Sequence, residues 1–224
     1  MAHSFTKQNT IVQQFYDNIQ PNRPAARKVG WTDKNAQFSR FKQLTNITSF
    51  FAHTLLDVGC GLGALHTFLI EDQLDAKYTG IDINPQFIKE AQKQHPSATF
   101  KHADIFDPNF YEEYDYILAS GIFNQRVPKQ MKYIEKGIQK MVQLCRYGVA
   151  FNILSSSTPK HMRQSPTFHY YSPSKVLDIC LKYSPYVVLK QHYLPNDMTF
   201  YIYKEPIEQL STIPSITFET DTPE

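Results

Sequence analysis

With 224 residues, 42% of them hydrophobic and 20% charged, the chain can bury one substantial core. This is ordinary globular composition, so wholesale disorder, a fibrous repeat and a coiled coil are excluded. The 23 Lys and Arg against 21 Asp and Glu leave a net charge of +2 and are scattered, so nothing electrostatic argues for nucleic acid.

In chain order, Ile11, Val12, Phe15 and Ile19 recur at helical spacing from Phe5 to Ile19, and Pro21 and Pro24 end that helix. Asp33 then caps a second helix whose apolar face is Phe38, Phe41, Leu44, Ile47 and Phe51. From residue 54 strands and helices alternate. The expected strands are Thr54 to Val58, Tyr78 to Ile83, Thr99 to His102, Tyr114 to Ser120 and Tyr147 to Leu154. The helices between them are Gly63 to Ile70, Pro85 to Gln94 and Lys129 to Cys145. Such alternation predicts a three-layer α/β fold around a mostly parallel sheet.

After a polar loop, Ser155 to Pro173, comes a helix from Ser174 to Tyr183. Two strand-like runs follow, Tyr186 to Tyr193 and Met198 to Tyr203, joined too tightly for a parallel crossover, so they predict an antiparallel hairpin. The organisation expected is an N-terminal helical lid over 1–53, a core over 54–204 and a flexible tail over 205–224, with no internal repeat. No apolar run reaches the roughly 18 residues of a membrane span, and Met1 to Gln20 is too polar for a signal peptide. Cys60, Cys145 and Cys180 are odd in number and lack Cys-x-x-Cys spacing. The expectation is a cytoplasmic protein with free thiols and no metal site.

The chemistry concentrates in Leu55-Leu56-Asp57-Val58-Gly59-Cys60-Gly61-Leu62-Gly63, an apolar strand running into a glycine turn that opens a helix. Glycines let the backbone approach a ligand, and the helix start presents free N–H groups. Asp82, 19 residues beyond Gly63, ends the next strand, where a carboxylate accepts both hydroxyls of a ribose. Gly59, Gly61 and Ala64 also satisfy the dinucleotide pattern, which keeps an NAD(P)-dependent oxidoreductase in view. Three features favour another adenosine cofactor. Asp57 suits an ammonium group and would repel a pyrophosphate, Asp104 ends the third strand where an adenine amino group would lie, and the chain closes on a hairpin without a second domain.

At these residues, over roughly Leu55 to Lys204, the sequence resembles the class I S-adenosylmethionine-dependent methyltransferases. The resemblance implies a Rossmann-like seven-stranded sheet whose last strand is antiparallel. It also implies that the loop at Gly59, Gly61 and Gly63 surrounds the methionine part of S-adenosylmethionine. By the same resemblance Asp57 helps hold the amino group, Asp82 binds the ribose, Ile83 and Ile105 flank the adenine, and Asp104 reads its amino group. Cys60, read as packing, and Ser120 belong with these cofactor-side residues. A finer similarity is to small bacterial methyltransferases without a settled substrate. It rests on Trp31, Gln37, Arg40 and Phe41, on Ala119-Ser120-Gly121-Ile122-Phe123-Asn124 and on Tyr170-Tyr171-Ser172-Pro173. Gln37 and Arg40 share a helical face that either closes over the cofactor carboxylate or carries a surface salt bridge.

For the acceptor the sequence says less. Methyl transfer is an in-line displacement served mainly by positioning. No Asp/Asn-Pro-Pro-Tyr/Phe follows the fourth strand, no spaced acids suggest a metal, and no cysteine stands in a motif for covalent activation. His169, among Phe168, Tyr170 and Tyr171, is either a general base or a solvated loop histidine. Asn124 is a candidate to orient the acceptor, and the aromatics around both would form an apolar pocket that favours the sulfonium. The expected activity is methyl transfer to a small molecule. A non-catalytic cofactor-binding regulator is the alternative of a different class.

Overall fold

The computed structural model describes residues 3–17, 34–163, 165–191 and 193–206. Two N-terminal helices, α1 (His3–Asp17) and α2 (Lys34–Thr45), precede the alternating core. Its strands are β1 (Thr54–Val58), β2 (Lys77–Asp82), β3 (Thr99–His102), β4 (Tyr114–Ser120), β5 (Cys145–Leu154), β6 (Val187–Lys190) and β7 (Asp197–Tyr203). Its helices are α3 (Ala64–Glu71), α4 (Pro85–Gln94), α5 (Gln130–Leu144) and α6 (Pro173–Leu181).

The strands form one sheet in the order β3-β2-β1-β4-β5-β7-β6. All neighbours from β3 to β5 are parallel, whereas β7 is antiparallel to both β5 and β6, as the closing hairpin required. The strand order reverses at β1, so the crevice above β1 and β4 is where an open sheet of this kind takes a ligand.

Both faces are covered, and the period-two alternation of the strands decides which residue goes where. On one side Leu56, Ile117, Phe151, Phe200 and Ile202 pack beneath α5 and α6. On the other Leu55, Tyr116, Leu118, Tyr201 and Tyr203 pack beneath α2 and α3. Phe151 and Phe200, paired across β5 and β7, stack at 5.3 Å between ring centroids. Burial of one such ring stabilises the fold by about 1.5–3 kcal/mol, so the hairpin is fixed through its side chains as well as its ladder.

The boundaries differ from expectation at several points. Helix α2 stops at Thr45, and left-handed backbone at Phe50 (φ 59°) and Ala52 (φ 62°) turns the chain toward β1. Ile47 is consequently buried beyond the helix, and Phe51 stands 73% exposed instead of joining the apolar face. Helix α5 hands over to β5 with no loop, because Cys145 already pairs with Tyr114. Helix α6 starts one residue early, with Pro173 as its first residue after Ser172, and β6 is only four residues long.

Both N-terminal helices reach the crevice: α2 packs on the sheet through Phe41 and Leu44 and lines the crevice with Gln37 and Phe41, and α1 lines it with Asn9, Val12, Gln13 and Tyr16. Trp31 and Asp33 lie outside the described residues, as does the tail beyond Pro206.

Candidate functional site

At the C-terminal ends of β1, β2, β3 and β4 lies a cleft of about 930 Å³, open mouth included. The turn after β1 makes its floor. Gly59 (φ 74°) and Gly61 (φ 53°) are in the left-handed region that side chains rarely adopt. A Cβ on Gly59 would also come within 2.4 Å of Ile122 Cγ2. The Gly59 and Cys60 amides donate to the Ile81 carbonyl at 2.8 and 3.0 Å, and the Gly61 amide donates to Asp82 Oδ2 at 2.9 Å. The tip of β2 therefore holds the turn open. Gly63 has a different task from the other two: it does not line the cleft, and a Cβ there would meet His95 and Phe100 under 3.0 Å, so it lets α3 pack closely.

Three carboxylates punctuate the strand ends. Asp57 is 2% exposed, and the Tyr78 hydroxyl donates to its Oδ2 at 2.7 Å. Burial, with a smaller push from Asp82, raises its carboxyl to about 7. A buried carboxylate lining a cleft, with no cation beside it among the described residues, fits an incoming ammonium group. Asp82 accepts the Gly61 amide on Oδ2 and the Asn84 amide on Oδ1, at 2.9 and 2.8 Å. Its remaining lone pairs suit a diol, and burial raises its pKa despite those amides. Asp104 accepts the Phe106 amide on Oδ1 at 2.9 Å and the Asn9 side-chain amide on Oδ2 at 2.5 Å. Burial raises this group too.

Ile83 and Ile105, next in the chain to Asp82 and Asp104, line the cleft together with Cys60, Ser120 and Gln37. Burial keeps the Cys60 thiol protonated, as packing requires. The cofactor-side expectations thus converge on one cavity, with two departures. Gly63 serves packing, and Arg40 is in neither of the places expected of it. Arg40 is 2% exposed and its Nε donates to Asp197 Oδ2 at 2.6 Å, tying α2 to the first residue of β7. Burial raises the Asp197 carboxyl even beside the guanidinium.

The sequence reading missed the roof. Asn9, Val12, Gln13 and Tyr16 of α1 line the cleft, and Asn9 joins Asp104 to the Tyr133 hydroxyl, which donates to Asn9 Oδ1 at 3.2 Å. Asn9, Gln13 and Tyr16 are at i, i+4 and i+7, and that polar face on an otherwise apolar-patterned helix was the available signal. Asn84 and Phe87 were also unread. Asn84 caps α4 by accepting the Gln86 and Phe87 amides at 2.9 and 3.3 Å, with Pro85 in the first helical position.

On the acceptor side, Asn124 and His169 lie outside the cleft lining and adjoin each other. Asn124 Oδ1 accepts the Leu154 amide at 3.0 Å, and its carbonyl accepts the His169 amide at 2.8 Å. The side chain is thus occupied in holding the end of β5, and the backbone carbonyl holds the 155–172 loop. His169 is half-buried with its ring 4.5 Å from that of Tyr171, and burial followed by the nearby Arg126 lowers its pKa. Tyr171 is fully buried, its hydroxyl donating to the Phe123 carbonyl at 2.8 Å, and Phe123 is equally buried, so both serve the core.

A sheet with antiparallel β7, a glycine turn after β1 and an acid at the tip of β2 define the class I Rossmann-like methyltransferases. The comparisons agree. The methyltransferase domain family matches residues 56–151. Rv1506c of Mycobacterium tuberculosis, named as a methyltransferase, is 32% identical over 157 residues, covering 66% of this chain and 91% of its own. The magnesium protoporphyrin IX methyltransferase of Synechocystis PCC 6803, solved with bound SAH, superposes with a TM-score of 0.63 at 13% identity, over 88% of this chain and 99% of that one. The N-methyltransferase NodS of Bradyrhizobium japonicum WM9 gives 0.59 at 18% identity, over 85% and 97%. The chain belongs to the class I S-adenosylmethionine-dependent methyltransferases.

Proposed function

We propose that this enzyme methylates a small-molecule acceptor, holding S-adenosylmethionine in the α1-roofed cleft and receiving the acceptor beside the 155–172 loop. The observation that carries this reading is the run of three carboxylates at successive strand tips, Asp57, Asp82 and Asp104, in one cavity around Gly59 and Gly61. Their order along the sheet edge, at the tips of β1, β2 and β3, suits an ammonium, a ribose diol and an adenine amino group in turn.

When bound, the cofactor supplies an electrophilic methyl group on a sulfonium and a neutral thioether leaving group. The chain's residues bind and orient. Asp57 would hold the ammonium, Asp82 the ribose hydroxyls and Asp104, with Ile83 and Ile105, the adenine, and Gln37 lines the same cleft from α2. Helix α1 excludes water through Val12 and Tyr16. On the acceptor side His169, kept neutral by burial and by Arg126, receives the acceptor's proton at a ring nitrogen, while Asn124 holds the loop that carries it. The three buried cysteines, all free thiols, support a cytoplasmic setting.

The reading is tested by thermal shift. S-adenosylhomocysteine at 100 times its Kd stabilises the native state by about 2.7 kcal/mol, while NAD at equal concentration leaves the midpoint unmoved. A shift with NAD alone overturns it.

A further inference from the structure

The two loops bordering the acceptor side, residues 121–129 and 155–172, carry Arg126, Lys129, Lys160 and Arg163 and contain no Asp or Glu. In a chain whose charges nearly cancel, that is a segregation with a direction. The described arginines sharpen it. Arg40 pairs with Asp197, and Arg146 pairs with Glu113 and Asp115. Arg126 and Arg163 have no carboxylate partner among the described residues. Each is exposed and donates through Nη2 to a backbone carbonyl, Arg126 to Phe168 at 3.2 Å and Arg163 to Ser156 at 3.3 Å. A guanidinium has five N–H donors, so these bonds fix the side chains and leave the fork available for a two-oxygen anion.

Both arginines are tied to the 155–172 loop, and that loop touches the helix that lines the cleft. The Arg126 amide donates to Thr167 at 2.8 Å, and its charge is felt by His169. The Arg163 guanidinium carbon sits 5.0 Å over the Tyr170 ring. Phe168, whose carbonyl accepts from Arg126, meets Phe15 of α1 at 6.1 Å between ring centroids, one residue from the Tyr16 that lines the cleft.

From this arrangement we infer that the methyl acceptor is an anionic small molecule, a carboxylate or phosphate compound whose charged group is gripped by Arg126 and Arg163 at the loop that carries His169, with its nucleophile turned toward the cleft. The inference rests on the reading of this face as the acceptor side. It adds the chemical class, and it makes Arg126 and Arg163 acceptor-binding residues.

The test uses the full chain saturated with S-adenosylhomocysteine, with inorganic phosphate and malonate as separate probes followed by calorimetry. Phosphate, malonate or both bind wild type, and R126Q and R163Q each weaken the binding at least 10-fold while affinity for S-adenosylhomocysteine stays unchanged. The better of the two probes tells a phosphate acceptor from a carboxylate one. The inference is overturned if neither probe binds, or if both variants bind the probes as wild type does. It is also overturned if a 12-nucleotide single-stranded RNA binds a thousandfold more tightly than phosphate and loses affinity with the same substitutions, since the surface would then belong to nucleic acid. Loss of S-adenosylhomocysteine binding in wild type would instead refute the cofactor reading, so the two failures are distinguishable.

Discussion

Asp57→Asn separates stability from binding with opposite signs. The side chain is 2% exposed, and its carboxyl stands at about 7 against 3.8 for the free group, with burial the main cause. A carboxyl raised in the folded state binds more protons there than in the unfolded chain. Between about pH 4 and 7, therefore, stability falls as pH rises, and above 7 the full penalty is present. Three units correspond to roughly 4 kcal/mol, an upper figure because Asp82 is coupled to the same site. Asn keeps an acceptor for the Tyr78 hydroxyl and removes the charge, so the ligand-free variant should be the more stable protein at pH 8 and no more stable at pH 4.

Binding runs the other way. If the ligand's ammonium needs the ionised carboxylate, the apparent affinity for S-adenosylhomocysteine at pH 6 is about 10-fold below its plateau above pH 8, from one proton with a pKa near 7. 5′-Methylthioadenosine lacks the ammonium but keeps the ribose and adenine, so it samples the raised pKa values of Asp82 and Asp104 without that of Asp57. The quantity to measure by calorimetry is the difference between the two ligands from pH 6 to 8.5. It should rise with pH in wild type and be flat in Asp57→Asn. Equal slopes for both ligands in wild type would refute the assignment of Asp57 to the amino group.

The other positions give sharper alternatives. Asp82→Ala should cost about 1.5–3 kcal/mol for each ribose hydrogen bond lost, and it should abolish discrimination between 5′-methylthioadenosine and its 2′-deoxy analogue. A variant that still discriminates has its ribose held elsewhere. Arg40→Met leaves the buried Asp197 unpaired and should destabilise the fold by about 3–5 kcal/mol in urea titration, with most of the loss recovered on adding Asp197→Asn. Affinity for S-adenosylhomocysteine should hold throughout, and a selective loss against 5′-methylthioadenosine would restore Arg40 as a carboxylate clamp. His169→Ala should lower turnover about 10²- to 10⁴-fold and remove an acid limb whose midpoint, by the direction of its shift, lies below the usual histidine value. Unchanged turnover with an unchanged pH profile would leave positioning alone as the mechanism.

What was legible in the sequence was what local rules encode. The strand alternation, the glycine turn and the acids at strand tips depend on spacings within a few residues, and those residues line one cleft. The roof was not legible, because the contact of Asn9 with Asp104 spans 95 positions and depends on where α1 settles after the sheet exists. Arg40 shows the same limit over 157 positions. Its helical face was visible, but the partner that claims it, Asp197, arrives only when β7 inserts beside β5. Asn124 was recognised as special for a reason that proves to be backbone support, since its Oδ1 belongs to Leu154. Phe51 failed because backbone geometry at Phe50 and Ala52 overrode a good helical period.

The central claim, catalysed methyl transfer from S-adenosylmethionine to a small molecule, is tested most directly by mass spectrometry of a cell metabolite extract incubated with the full chain and methyl-labelled cofactor. The account predicts S-adenosylhomocysteine accumulating in step with one labelled small molecule, and neither in the Asp82→Ala variant. Cofactor that binds but leaves every metabolite unlabelled, across extracts rich in carboxylates and phosphates, would contradict it.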